Sequence, residues 1–374
     1  MTQDLLERTS TAAELIRKHA DDHEKAREIG SEAIVELKSL DILRAYVPAA
    51  YGGPEFSPQQ AMRTIEILSA ADGSTGWCAT IASLTSHIAG CLDADVGKAI
   101  FGSPDAVICG AYARSGRGEA NADGSYTVTG RWAWGSGSSF ATWMTGGADN
   151  DDGTSRHMFF RRDQITMHDT WYSNGLRATA SHDFSVDKLH VADGFSVDLA
   201  KARPHVDAPI SRMPLFVLFS GGVASVMLGI ATRALEELSA LASVKKPVQS
   251  SKTLAHSSIA QVDLARAEVA VRSARSFLHE QIDEAWETVQ RGDRVDVENR
   301  LGARLAATNA GEQACAAVDL CYKAGGGTAV YETSPLQRCF RDVHTASAHI
   351  MVSARTYEMV GRKRFGLDID TSSL

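Results

Sequence analysis

The feature that most limits the fold is the order of its blocks. About 90 residues from Val107 to Val197 are rich in Gly, Thr, Val and aromatic side chains, with recurring turn signals. They stand between two long stretches whose apolar residues recur at helical spacing. Helix, then sheet, then helix, with no β-α-β alternation, argues strongly against a doubly wound dinucleotide fold. Asp123-Gly124 and Asp152-Gly153 read as hairpin turns, so the middle block is expected to be an antiparallel β domain.

On the N-terminal side, Leu5, Leu6, Ala13, Ile16, Ile29, Ala33 and Leu37 recur among charges, predicting helix over residues 4–40. Pro48 to Pro54 is a turn-rich break. Ser57-Pro58 restarts a helix, with Ser as N-cap and Pro at the first helical position. Asp72-Gly73-Ser74 caps another, from Thr75 to Leu92, and a third runs from Asp95 to Phe101. Beyond Pro214, Leu228–Val244, Ala255–Arg291 and Val297–Lys323 are long amphipathic stretches. After the Gly325-Gly326-Gly327 break a final helix is expected from about Pro335 to Val360, completing a four-helix bundle. The expected domains are 1–104, 105–205 and 206–374.

A chain of 374 residues is long enough for two or three domains. Its 44% hydrophobic and 22% charged residues are those of a soluble protein. A net charge of -8 argues against nucleic acid or an anionic membrane as partner. Six cysteines without C-x-x-C spacing read as reduced thiols of a cytoplasmic protein. The polar, acidic Met1-Thr2-Gln3-Asp4 start reads as no signal peptide. The longest apolar run, Phe216 to Ala231, is interrupted by Ser220, Gly221, Gly222 and Ser225. It falls short of the roughly 20 residues a membrane span needs, so a buried helix is expected.

The stretch with most chemical content is Gly130-Arg131-Trp132-Ala133-Trp134-Gly135-Ser136-Gly137. Two Trp at period two put both indoles on one face of a strand. The Gly and Ser that follow let backbone approach a ligand closely and let a hydroxyl bond to it. A large, flat heteroaromatic ligand suits such a wall; on these residues alone, a core strand ending in a Gly/Ser loop serves as well. No histidine stands in an H-E-x-x-H or His/Cys metal spacing, so no metal is expected.

Five ordered pieces on this α-β-α layout carry a resemblance to the acyl-CoA dehydrogenase superfamily over roughly residues 10–365. They are Pro48-Ala49-Ala50-Tyr51-Gly52-Gly53, Gly76-Trp77 with His87, the Gly130–Gly137 stretch, Trp171 with Gly175–Ser181, and Gly325–Gly327 with Leu336–His344. The chain more closely resembles that superfamily's reduced-flavin-dependent two-component monooxygenases, the group D flavin hydroxylases. Superfamily dehydrogenases carry a catalytic glutamate beyond the Arg-Asp pair of the last helix region. Here no carboxylate lies between Asp342 and Glu358, so the base that takes an α-proton from a thioester is missing. The monooxygenase branch has a histidine near this point, and His349 is its counterpart.

The resemblance implies an α+β fold with an N-terminal helical domain, a middle antiparallel β domain and a C-terminal four-helix bundle. It implies a monooxygenase that takes FMNH2 or FADH2 from a separate NAD(P)H-flavin reductase and, with O2, hydroxylates a small phenol or indole through a C4a-hydroperoxyflavin. N- or S-oxygenation, or a dehydrogenase with a relocated base, are the alternatives. Ser136 or Ser138 would bond the N5/O4 edge of the flavin. His349 would orient the substrate or take its proton, with His87 as a further catalytic candidate. Trp77, His87, Trp171 and His349 would line the substrate pocket. Trp134, Gly137, Arg177, Lys252, Gly325 and Gly326 would hold flavin, Gly325 and Gly326 that of a neighbouring subunit in a homotetramer.

Overall fold

The computed structural model describes residues 3–248, 250–372 and 374. Helices α1 (Gln3–Ala26) and α2 (Ser31–Ser39) replace the single expected helix over residues 4–40. The break falls at Arg27, whose left-handed φ of 59° cannot continue a helix. Helix α3 (Pro58–Ala71) starts as expected, with a capping box in which Ser57 and Gln60 bond each other's backbone N–H. Asp72 caps α4 (Gly73–Ser86) by accepting from the Thr75 N–H. A 3-10 turn over His87–Cys91 and α5 (Ala94–Phe101) complete this part.

The strands are β1 (Ile108–Ala120), β2 (Tyr126–Trp132), β3 (Trp143–Asn150), β4 (Ser155–Arg161), β5 (Thr166–His168), β6 (Asp183–Val191) and β7 (Ser196–Val197). They form one sheet in the order β5-β6-β2-β1-β3-β4-β7. Both expected hairpin turns are present, with Gly124 and Gly153 at positive φ. The sheet is not wholly antiparallel, however: β1 and β3 pair in parallel. β2 runs back alongside β1, and the chain then passes the start of β1 to lay β3 on its other edge. The crossing loop, residues 133–142, carries the Gly/Ser motif.

Trp132 explains much of this local packing. Its indole is fully buried, 5.2 Å from the Phe184 ring and 5.4 Å from Phe160. Its Nε1 donates to the Gly147 carbonyl at 2.8 Å. A Cβ built on Gly116, Gly130 or Gly146 would lie within 2.8 Å of this ring, so three glycines make its berth. Burying such a side chain contributes about 4–6 kcal/mol.

Helices α6 (Leu215–Val244), α7 (Ser258–Gln290), α8 (Val297–Gly325), α9 (Pro335–Ser347) and α10 (Arg355–Arg364) follow. At 30 residues α6 is long and apolar enough to cross a membrane, contrary to the expectation from run length. Burial decides its role: 83% of its most apolar window is inside the protein, against α3, α4, α8 and α9. The expected last helix is two. It stops at Ser347, His349 takes an extended ψ of 135°, and a 3-10 turn over Ile350–Val352 leads to α10.

Candidate active site

The loop after β2 departs from the strand at once. Trp134 adopts a left-handed φ of 64° and its indole is 68% exposed, whereas Trp132 is fully buried. The two indoles therefore do not share a strand face: the strand ends between them. Gly137 has φ 75°, and a Cβ there would meet the Cys109 Sγ at 2.9 Å, so glycine is required. The N–H groups of Gly135, Ser136, Gly137 and Ser138 are all spent within the chain. What remains to the loop is side chain: the hydroxyls of Ser136 and Ser138 are both buried, and that of Ser138 donates to the Ala180 carbonyl at 3.4 Å.

Ser136 Oγ accepts from Trp77 Nε1 at 3.1 Å and lies 2.7 Å from Ser181 Oγ. Trp77, on α4, meets the His349 ring edge-on with centroids 5.5 Å apart. His349 in turn meets Phe219 of α6 at 5.3 Å, and Phe219 meets Tyr112 of β1 at the same distance. Tyr112 tilts against His157 of β4 at 5.2 Å. Rings from the N-terminal helices, the sheet and the C-terminal helices thus form one run, with Ser136 at one end.

His349 Nδ1 accepts from the Met351 N–H at 3.3 Å, which leaves the proton on Nε2. Burial, and secondarily the Arg304 guanidinium, pull its pKa down to about 4. At neutral pH it is an uncharged donor. Arg304 supports the turn from below, reaching the Ile350 carbonyl at 3.3 Å and Met351 Sδ at 3.1 Å. His87 is buried beside Tyr46, and its Nε2 lies 3.0 Å from the Ile210 carbonyl. Desolvation takes its pKa to about 4, so the ring is neutral, and since a carbonyl only accepts, Nε2 is the nitrogen that donates.

The other expected residues are spread out. Trp171 Nε1 donates to the Leu176 carbonyl at 3.0 Å, in the loop leading to Ser181. Arg177 is half-buried in that loop, with its Nε buried and unpartnered. Lys252 is exposed in the α6–α7 connection. Gly325 ends α8 with its carbonyl bonded to Lys245, and Gly326 follows at φ 55°. No described contact joins Lys252, Gly325 or Gly326 to Ser136. Phe219, Tyr112, Arg304, Thr179 and Ser181 were not anticipated. For Phe219 the only signal was its place in an apolar run, which reads as core.

An open cavity of about 760 Å3 lies on the other side of the His349 turn, between α8 and Ser347–Arg355. Ala348 and Ile350 line it, with Glu312 and Asp319, while the His349 ring turns inward to Trp77 and Phe219. The aromatic run, not this cavity, is the candidate site. The buried carboxylates are engaged elsewhere: Glu66 with Arg275, Asp72 with Thr75 and His23, and Asp342 with the Leu176 N–H.

A family model for the acyl-CoA dehydrogenase N-terminal domain matches residues 5–92, and one for its C-terminal domain matches residues 221–354. An indole-3-acetate monooxygenase of Pseudomonas putida is 33% identical over 94% of this chain and 90% of its own length. A flavin-dependent monooxygenase oxygenase subunit, HsaA of Rhodococcus jostii, is 26% identical over 97% of this chain and 99% of its own. The fold also matches that of XiaF from Streptomyces sp., solved with FADH2 and glycerol, with a TM-score of 0.92 at 22% identity over 99% and 97% of the two chains. The chain belongs to the acyl-CoA dehydrogenase superfamily and, within it, to the flavin-dependent monooxygenases.

Proposed function

We propose that this chain is the oxygenase component of a two-component system, taking FMNH2 or FADH2 from a separate reductase to hydroxylate a small phenol or indole with O2. The observation that carries this reading is the Ser136–Trp77–His349 connection, which links a hydroxyl-tipped loop to a neutral imidazole through one indole. The residues fit a flavin. Trp134 holds an exposed indole beside Ser136, Ser138 adds a second hydroxyl, and Arg177 keeps a buried, unpartnered guanidinium nitrogen. Bound reduced flavin supplies the electrons and the activation of O2.

The chain's own residues orient and exclude water. Trp77, Phe219 and Tyr112 give the substrate apolar ring walls, and His349 offers it an Nε2–H. A donor with a pKa of about 4 suits a phenol oxygen or a carboxylate of the substrate, and makes positioning rather than proton abstraction its role. Trp171 and His87 act at the margins, by holding the Leu176 loop and the Ile210 carbonyl. With the buried carboxylates committed elsewhere, a dehydrogenase base has no support.

The exposed α7 stripe of Ile259, Val262 and Val269, and the open space at Gly327, support assembly as a homotetramer. In it, Gly325, Gly326 and Lys252 would face a neighbour's flavin. Six free thiols support a cytoplasmic setting, and the domains divide at 104/105 and 205/206. The test is anaerobic loading with reduced flavin, then 18O2 with phenols and indoles. One 18O atom per product molecule is expected; product formed equally without O2 would sink the reading.

A further inference from the structure

We propose that Thr179 and Ser181 are positioning residues that fix the proton of the Ser136 hydroxyl, so that Ser136 turns an accepting lone pair to its ligand. The proposal rests on the flavin reading above. It follows from counting protons along a chain of short contacts. Ser136 Oγ lies 2.7 Å from Ser181 Oγ, Ser181 Oγ lies 2.6 Å from Thr179 Oγ1, and Thr179 Oγ1 lies 2.8 Å from the Leu176 carbonyl. A carbonyl oxygen holds no proton, so Thr179 donates its own to Leu176. Thr179 then has none for Ser181, and Ser181 must donate to Thr179. By the same step Ser136 donates to Ser181.

The far end is closed too. The Trp77 Nε1–H can only donate, and it occupies one lone pair of Ser136. Ser136 is left with one unused lone pair and no free proton. All three hydroxyls are buried, Thr179 at 1%, Ser181 at 3% and Ser136 at 5% exposure, so bulk water does not compete to reverse the chain. The anchor is fixed. Leu176 holds a left-handed φ of 49° and its N–H donates to Asp342 Oδ1 at 2.6 Å; its carbonyl also accepts from Trp171 Nε1 at 3.0 Å and from the Thr179 N–H at 3.2 Å, the Thr179 hydroxyl at 2.8 Å being the shortest of the three.

The N5 of reduced flavin carries a hydrogen and donates; that of oxidised flavin only accepts. An acceptor at Ser136 matches the reduced ring and mismatches the oxidised one. Without Ser181 the Ser136 proton is released and can serve the oxidised ring.

Dissociation constants of oxidised and reduced FMN and FAD, measured anaerobically by flavin fluorescence and absorbance, test this. Wild type is expected to hold the reduced form more tightly. Ser181→Ala should lower the ratio of oxidised to reduced Kd about five- to tenfold, mainly by tightening the oxidised form. Thr179→Val should move it the same way, and Thr179→Ser, which keeps the hydroxyl, should restore it. In a Ser136→Ala background Ser181→Ala should add nothing. If Ser181→Ala and Thr179→Val weaken both forms by one factor, the residues only pack, and the proposal fails. If wild type binds neither form, the flavin reading itself fails instead.

Discussion

At residue 134 the chain places a tryptophan where an L-residue resists going. A left-handed backbone costs it about 1–2 kcal/mol, and 68% of the side chain remains in water. Little of the burial that normally offsets such strain is present, which is the pattern of a residue held for a ligand. Trp134→Gly should therefore raise the stability of the flavin-free protein by about 0.5–1 kcal/mol, part of the relief being lost to the looser unfolded chain. The same change should weaken flavin binding about tenfold, the worth of a lost ring contact. Denaturant melts and flavin titrations on one preparation check both. A fall in stability would mean the indole packs within this chain and is not a flavin wall.

Between elements, the decisive link joins the Leu176–Ser181 loop to α9. Asp342 Oδ1 accepts the Leu176 N–H at 2.6 Å, and burial pushes this carboxyl up to about 7. What the loop needs from residue 342 is an acceptor, not a charge. Asp342→Asn keeps the carbonyl oxygen and should stay within about 1 kcal/mol of wild type. Asp342→Ala orphans a buried N–H and should cost about 1–3 kcal/mol; equal losses in the two variants would argue against this link. The contact also shows what a sequence can reveal. The Ser57 and Asp72 caps, the two hairpin glycines and the Gly130–Gly137 motif are local, and local chemistry placed them. The parallel β1–β3 pairing is not local, so the sequence alone continues the strand face through Trp132 and Trp134 where the fold makes a loop. His349 was found by position in a motif, yet the helix end that turns its ring inward depends on Arg304, 45 residues earlier in the chain. Thr179 and Ser181 lie in the Gly175–Ser181 motif, but their partner Ser136 is joined to them only by folding.

Over the whole molecule, buried histidines set the response to acid. His87, His157 and His349 are each held down to about 4, chiefly by burial, against about 6.5 in an unfolded chain. Between these values the unfolded chain carries three protons that the folded chain refuses, so falling pH favours unfolding. Asp342 works in the opposite sense. Its carboxyl keeps a proton up to about 7 in the fold but loses it near 3.8 when unfolded, so its contribution is present at low pH and lost as pH rises. Three histidines outweigh one carboxyl; His279, also lowered by burial, is opposed by His23, whose burial is overcome by Asp72 and Glu32 so that it is raised, and unfolding in this window takes up about two protons net. Linkage turns that into a limiting slope of about 2.7 kcal/mol per pH unit. Thermal melts from pH 7 down to 4.5 should show stability falling steeply below about 6.5. His87→Gln keeps a donor for the Ile210 carbonyl and removes one titrating group, so its slope should be shallower by about one proton. A slope unchanged in this variant would mean that His87 is open to protonation in the fold; a flat profile across that range would mean that all three rings are, and that His349 meets its substrate as a cation.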